Sequence, residues 1–223
     1  MVATIRALKM HGGEPFDELA KENVEALSKG MVNLETHLEN IKKFGLPVVV
    51  AINHFDQDTS SEITFVEEWC KKHGYEFAFL DGFKKGGEGS IELAKKVQTM
   101  LKSTPSHYKP LYDLKDPIKK KIEIICKNIY GAGNVVYLPK AEEEIKEYEK
   151  MGFSDSFICM AKTPQSLTDD PNVLGAPKGF TITIREVNLS AGAGFIIPLT
   201  GAIMTMPGLP KIPAAVKMED VPW

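Results

Sequence analysis

Apolar and polar residues follow two different periods along the first hundred positions, and these periods predict strands and helices in turn. Residues 2–10, "VATIRALKM", form a β-rich run that ends at the turn signal "HGGEP". The run at 48–52, "VVVAI", is continuously apolar, which is typical of strands buried on both faces of a parallel sheet. A third β-rich run, "YEFAFL", follows at 75–80. We therefore predict three strands, the first of which begins at the second residue.

Helical periodicity fills the intervals between these strands. Apolar residues recur every three or four positions over residues 17–44, and Gly45 ends that pattern. Residues 58–74 begin with good N-terminal capping residues, and residues 90–102 form a third helical pattern. This alternation predicts an α/β fold with a right-handed, doubly wound, mainly parallel sheet.

The second half of the chain has a different organisation. Residues 103–117 contain three prolines and no periodicity, so we expect a long connection. After it we predict a smaller α/β unit, then β-rich segments joined by "SAGAG", and a proline-rich tail from residue 206 onward. The predicted elements of the smaller unit are a helix at 118–130, a strand at 134–138, a helix at 141–152 and a strand at 157–161. We divide the chain into two domains, residues 1–104 and 105–223.

Charge and cysteine content exclude several classes of protein. The 27 basic residues are scattered along a chain of net charge −3, so nothing favours a nucleic-acid partner. The longest apolar runs are too short to span a bilayer, and the N-terminus lacks the features of a secretory signal. Neither the three cysteines nor the five histidines show metal-ligand spacing, so we expect no metal site in a cytoplasmic protein.

Ligands of open parallel sheets bind outside the carboxyl ends of the strands, where the strand order reverses. Here that rule selects residues 10–15, 53–59 and 81–90 as the candidate binding loops. If the three strands are neighbours, Asn53, Phe55, Phe83 and the loop glycines converge on one crevice.

The third loop, "DGFKKGGEGS", superficially resembles a phosphate cradle. Both lysines, Lys84 and Lys85, precede the glycines, whereas the lysine of a Walker A loop follows them. Glu88 among the glycines would repel phosphate, and the G-x-G-x-x-G fingerprint does not match either. A flexible turn into a capped helix is the simpler interpretation. Likewise, "NHFD" at 53–56 has His54 where guanine-binding proteins carry a lysine, so we do not predict guanine recognition.

Phe55 and Phe83 stand out because each follows an apolar strand and lies in a polar loop. Aromatic side chains on adjacent loops can stack on the two faces of a flat heterocycle. The alternative is that both rings cover the edge of the sheet. The sequence leaves these two interpretations open.

Longer motifs bring in a resemblance to a known family. They include "VATIRALKMHGG", "KGGEGSIELAKKV", "AKTPQSLTDDP", "GFTITIREVNLSAGAGFIIPLTG" and "MTMPGLPKIPAA". Together they resemble formate–tetrahydrofolate ligase (formyltetrahydrofolate synthetase) over essentially the whole chain. The match is to the C-terminal portion of that family's proteins, and their Walker A loop has no counterpart here.

The resemblance implies part of a P-loop NTPase-like sheet and an ATP-dependent ligase of one-carbon metabolism. Such a ligase forms 10-formyltetrahydrofolate from formate and tetrahydrofolate, and uses ATP with Mg²⁺ and a monovalent cation. It also implies a cytoplasmic homotetramer. The catalytic residues are expected upstream, so we expect the chain alone to be inactive and to need the rest of the ligase polypeptide. The alternative is a non-catalytic folate-binding or assembly fragment, or a degenerate paralogue.

The resemblance also assigns candidate binding residues. In the family, a Phe and a Trp hold the pterin ring between them; Phe55 matches the first, and Phe83 stands where the Trp is usual. A Phe keeps an aromatic face but offers less stacking area and no indole N–H. Phe79 replaces a Leu of the same wall, and Asn53, Lys84, Gly86 and Gly87 would line the mouth of the pocket.

Overall fold

The computed structural model of the chain describes residues 1–201, together with residues 203, 212 and 216. Apart from the last two of these, the predicted proline-rich tail lies outside the described residues. The strands are β1 (Val2–Ala3), β2 (Val49–Asn53), β3 (Glu76–Leu80), β4 (Asn134–Tyr137), β5 (Phe157–Ile158), β6 (Thr181–Ser190) and β7 (Phe195–Thr200). The helices are α1 (Ile5–His11), α2 (Val24–Lys43), α3 (Ser60–Lys72), α4 (Gly82–Lys85), α5 (Ile91–Ser103), α6 (Ile118–Ile125) and α7 (Pro139–Lys150).

The first sheet contains β1, β2 and β3, which are parallel and lie side by side in chain order. Val50 and Ile52 of β2 pack with Phe77 of β3 against buried side chains of α1, α2 and α3. The alternate residues of β2, Val49 and Ala51, face α5. Helices therefore cover both faces, which confirms an α/β unit with a parallel sheet. No reversal of strand order occurs among these three strands, so the doubly wound topology stays a prediction.

The predicted first strand is wrong beyond its second residue. Only Val2–Ala3 pair with β2, and Thr4 then caps α1 by accepting a hydrogen bond from the Ala7 N–H at 3.1 Å. Ile5 and Leu8 are both buried on one face of that helix, which is a helical spacing. The long helix predicted at 17–44 corresponds to α2, which begins later than expected, at Val24.

The second sheet has the order β4-β6-β7-β5 and is mixed. β6 and β7 form an antiparallel hairpin, and Gly194 in the turn has the left-handed φ of 71° that favours glycine. Both predicted strands of this β-rich segment are therefore confirmed. The predicted helix at 118–130 consists of α6 and a π-helical turn over Cys126–Tyr130, and the predicted strand at 157–161 is shorter, since β5 contains only two residues.

Helix α2 connects the first sheet with the second unit. The Asn33 side chain donates to the Gly175 carbonyl at 2.8 Å, and the Asn40 side chain donates to the Ile129 carbonyl at 2.7 Å. Both asparagines are buried, so each satisfies its polar group across this contact.

Candidate functional site

Two of the three predicted loops lie together at the carboxyl edge of the first sheet. Asn53 of β2 and Leu80 of β3 are in register, and the His54 N–H donates to the Leu80 carbonyl at 2.9 Å. The loops 54–59 and 81–90 therefore start side by side. The remaining predicted loop, residues 10–15, is misplaced, because α1 lies between β1 and this loop. Residues 10 and 11 end that helix, and residues 12–15 follow it.

The loop 81–90 closes on itself. The Asp81 N–H donates to the Gly89 carbonyl at 3.0 Å, and a Cβ at Gly89 would lie 2.2 Å from the Asp81 carbonyl oxygen. Gly86 has a φ of 58°, which suits glycine, whereas nothing surrounds a Cβ at Gly87. The glycines therefore shape the turn between α4 and α5.

Both lysines of this loop are engaged by carboxylates. Lys84 Nζ lies 2.9 Å from Asp56 Oδ1, which joins the two loops, and Lys85 Nζ lies 3.1 Å from Asp81 Oδ2. The hydrogen bond to Asp56 raises the pKa of Lys84. These ion pairs agree with the sequence argument against a phosphate cradle.

The aromatic side chains differ in exposure. Phe83 is 91% exposed, so its ring does not cover the sheet edge, as one interpretation of the sequence required. Phe55 and Phe79 are half-buried. Phe55 and Phe83 each directly precede one member of the Lys84–Asp56 ion pair, which places them on the two facing loops. The remaining predicted residues lie on the same edge: Asn53 is half-buried, and Gly86 and Gly87 are exposed.

A His–Asp pair that the sequence analysis did not select lies at the same edge of the sheet. His54 Nδ1 is 3.3 Å from Asp81 Oδ1, and its ring centroid is 4.9 Å from that of Phe79. Hydrogen bonds from Lys85 and then from His54 lower the pKa of Asp81. A signal for this pair is present in the sequence, because His54 and Asp81 each directly follow the carboxyl end of a strand.

The described part of the chain holds no cluster of three or more His, Cys, Asp or Glu side chains suited to a metal ion. Within the same residues, no helix is long and apolar enough to cross a membrane. A groove of about 880 Å³ lies elsewhere, along the 108–114 connection and β5, and none of the predicted site residues lines it.

A parallel sheet covered on both faces, with aromatic and charged loops at its carboxyl edge, defines an α/β protein with a candidate small-molecule site. The family model of formate–tetrahydrofolate ligase matches residues 1–221, which is nearly the whole chain. The chain therefore belongs to the formate–tetrahydrofolate ligase family. Its members are ligases of one-carbon metabolism whose substrates are formate, tetrahydrofolate and ATP. That the match covers only a C-terminal portion stays a prediction.

Proposed function

We propose that the loops 53–59 and 81–90 form the folate-binding wall of a formate–tetrahydrofolate ligase, with Phe55 and Phe83 stacking on the pterin ring. The observation that carries this proposal is the 91% exposure of Phe83 beside the loop of Phe55. An aromatic ring held in water on a charged loop has no packing role in the described structure. It offers a flat apolar face to a ligand.

The other predicted residues support this wall in different ways. Phe79 packs beside His54 at the base of the loops, and the Lys84–Asp56 ion pair fixes the separation of the two loops. Asn53, at the end of β2, and the exposed Gly86 and Gly87 border the same edge. We assign Lys84 to loop positioning, because its charge is already paired.

At the level of the whole activity, we propose that this chain is the C-terminal portion of the ligase. Formyl phosphate formation, with ATP, Mg²⁺ and a monovalent cation, is assigned to the rest of the ligase polypeptide within a cytoplasmic homotetramer. We expect no formate-dependent ATP turnover by the chain alone; robust turnover would contradict this assignment. The Phe residues at 79 and 83 favour a second candidate, a non-catalytic folate-binding fragment or degenerate paralogue, because they depart from the family's Leu and Trp.

Calorimetric titration of the 223-residue chain with tetrahydrofolate tests the wall. We expect micromolar binding, and about 10-fold weaker binding by Phe83→Ala, since one stacking contact contributes about 1–3 kcal/mol. Phe83→Trp should bind more tightly because the indole offers a larger stacking area. Phe157→Ala is the matched control, since Phe157 is also exposed, at 53%, but lies in the second sheet. Absence of binding, or an unchanged Kd in Phe83→Ala, would exclude the pterin wall.

A further inference from the structure

His54 is held from two sides and open on a third. Its Nδ1 lies 3.3 Å from Asp81 Oδ1, and its ring is tilted by 42° against Phe79 at a centroid distance of 4.9 Å. The side chain retains 19% of its exposure, so part of the ring reaches the surface between the two loops. These contacts fix the plane of the imidazole at the candidate folate site.

Asp81 determines which nitrogen of the ring is free. An ionised carboxylate only accepts hydrogen bonds, so the proton of a neutral His54 lies on Nδ1 and the lone pair on Nε2. Asp81 is itself immobilised: it is 5% exposed, its second oxygen pairs with Lys85, and its N–H donates to the Gly89 carbonyl. The imidazole therefore presents a hydrogen-bond acceptor with a fixed direction.

Stacking alone discriminates poorly between flat rings, because every heterocycle has an aromatic face. Specificity in such sites comes from a few polar groups that pair with the edge of the ring. Reduced pterins carry several N–H donors along their edge, which an acceptor between the two aromatic loops would recognise.

We propose that His54 is a specificity-determining residue of this site, whose Nε2 accepts a hydrogen bond from an N–H group on the edge of the stacked pterin. Asp81 is the positioning residue that holds the tautomer. This inference rests on the proposed folate wall and adds to it the group that reads the ring edge.

The charged groups around His54 define the controls. Asp81 and Lys85 follow β3, Asp58 lies in the same loop as His54, and the Lys84–Asp56 pair joins the two loops. The Lys9–Glu62 pair of α1 and α3 also affects the pKa of Asp58, because Glu62 raises it and Lys9 lowers it. Burial raises the pKa of Asp58, although the Phe55 N–H opposes that shift. Asp58→Asn is therefore the control: it removes a charge from the same loop and leaves the His54–Asp81 contact in place, so we expect its binding to equal that of the wild type.

The test is calorimetric titration with tetrahydrofolate at neutral pH. His54→Asn keeps an amide donor for Asp81 but lacks the distal acceptor, so we expect about 10-fold weaker binding. In His54→Gln the amide oxygen can replace Nε2, so binding should stay within about 3-fold of wild type.

Two further readouts separate this inference from a structural role and from the proposed function. Asp81→Asn should weaken the binding of tetrahydrofolate. The thermal unfolding of His54→Gln should match that of the wild type. The inference is overturned if His54→Asn binds like wild type while Phe83→Ala loses binding. If the wild-type chain does not bind tetrahydrofolate at all, the folate wall and this inference fall together.

Discussion

Among the residues that the structure describes, each of the two α/β units buries one lysine, and the two lysines are compensated in different ways. Lys9 in the first unit is 1% exposed, and Lys121 in the second is fully buried. Lys9 has a carboxylate partner, whereas Lys121 donates to backbone carbonyl groups and lies over the Tyr112 ring, 6.0 Å from its centroid. Burying a charged group destabilises a protein unless hydrogen bonds or an opposite charge compensate for the lost hydration, so each arrangement shows how its unit stabilises a buried lysine.

In the first unit, an ion pair connects three helices. Lys9 Nζ lies 2.8 Å from Glu62 Oε1 and donates to the Lys21 carbonyl at 2.6 Å. Glu62 also accepts from the N–H groups of Asn23 and Thr59, which precede α2 and α3. Burial would raise the pKa of Glu62, but the hydrogen bonds from Lys9 and from these two N–H groups outweigh it, and the pKa is lowered. The carboxylate is charged and depends on Lys9.

In the second unit, the ammonium group of Lys121 lies among three carbonyls. They belong to Leu114 at 3.2 Å, Ser154 at 2.6 Å and Ser156 at 2.7 Å. Burial lowers the pKa of Lys121, and the more distant Asp155 and Asp116 only partly offset this. Removing this lysine therefore leaves neutral dipoles without a partner, whereas removing Lys9 leaves a buried charge.

The largest expected effect follows from breaking the ion pair. Lys9→Met leaves the Glu62 carboxylate buried and unpaired, so we expect the free energy of unfolding to fall by about 3–5 kcal/mol. Urea unfolding followed by circular dichroism measures this loss. Lys29→Met is the control, because its ion pair with Glu25 is exposed and should contribute less than about 1 kcal/mol. Equal losses in the two variants would contradict the importance of the buried charge.

A smaller loss is expected in the second unit. Lys121→Met leaves carbonyl groups unsatisfied, which costs about 1–3 kcal/mol. Because the folded-state pKa of Lys121 is lowered, its contribution to stability is fully present above the unfolded pKa and decreases as the pH falls. The difference in stability between wild type and Lys121→Met should therefore widen from neutral to alkaline pH in urea unfolding. A larger loss in Lys121→Met than in Lys9→Met would reverse the comparison.

The sequence predicted those elements whose signals are local. The apolar run at 48–52 lies largely in the buried strand β2, and the β-rich run at 75–80 contains β3. Helix α3 begins at a capping box whose two members, Thr59 and Glu62, are three positions apart. The predicted first strand is too long because β-branched residues near the N-terminus obscure the helical spacing of Ile5 and Leu8. Thr4 serves as the cap of α1 there, which its letter alone does not distinguish from a strand residue.

The sequence selects residues for the candidate site only where a single residue carries the signal. Phe83 is selected because an aromatic residue in a polar loop is unusual, and its role in the site stays a prediction. The His54–Asp81 pair was missed because its members are 27 positions apart and only the register of β2 and β3 brings them together. The burial of Lys9 and Lys121 is likewise not predictable from the sequence, since a lysine on a helix is expected to be exposed until the packing around it is known.

The smallest effect is expected where the two units meet. The Gly175 N–H donates to His11 Nδ1 at 3.2 Å, which requires that this nitrogen carry a lone pair. Burial, and then His37, lower the pKa of His11. Burial, and then Lys162, lower the pKa of His37 in the same way. The contact is therefore built for neutral histidine.

Because the folded-state pKa of His11 is lowered, the contribution of the contact to stability should be fully present above the unfolded pKa of histidine and should be lost as the pH falls through the lower, folded-state pKa. We expect the hydrogen-exchange protection of the Gly175 N–H to drop by about 1 kcal/mol in acid, the contribution of one hydrogen bond. His11→Asn, whose amide oxygen can accept without titrating, should keep its protection. His73→Asn is the control, since His73 is exposed and remote from this contact in sequence. If His11→Asn lost as much protection in acid as the wild type, a different titrating group such as His37 would control the contact between the two units.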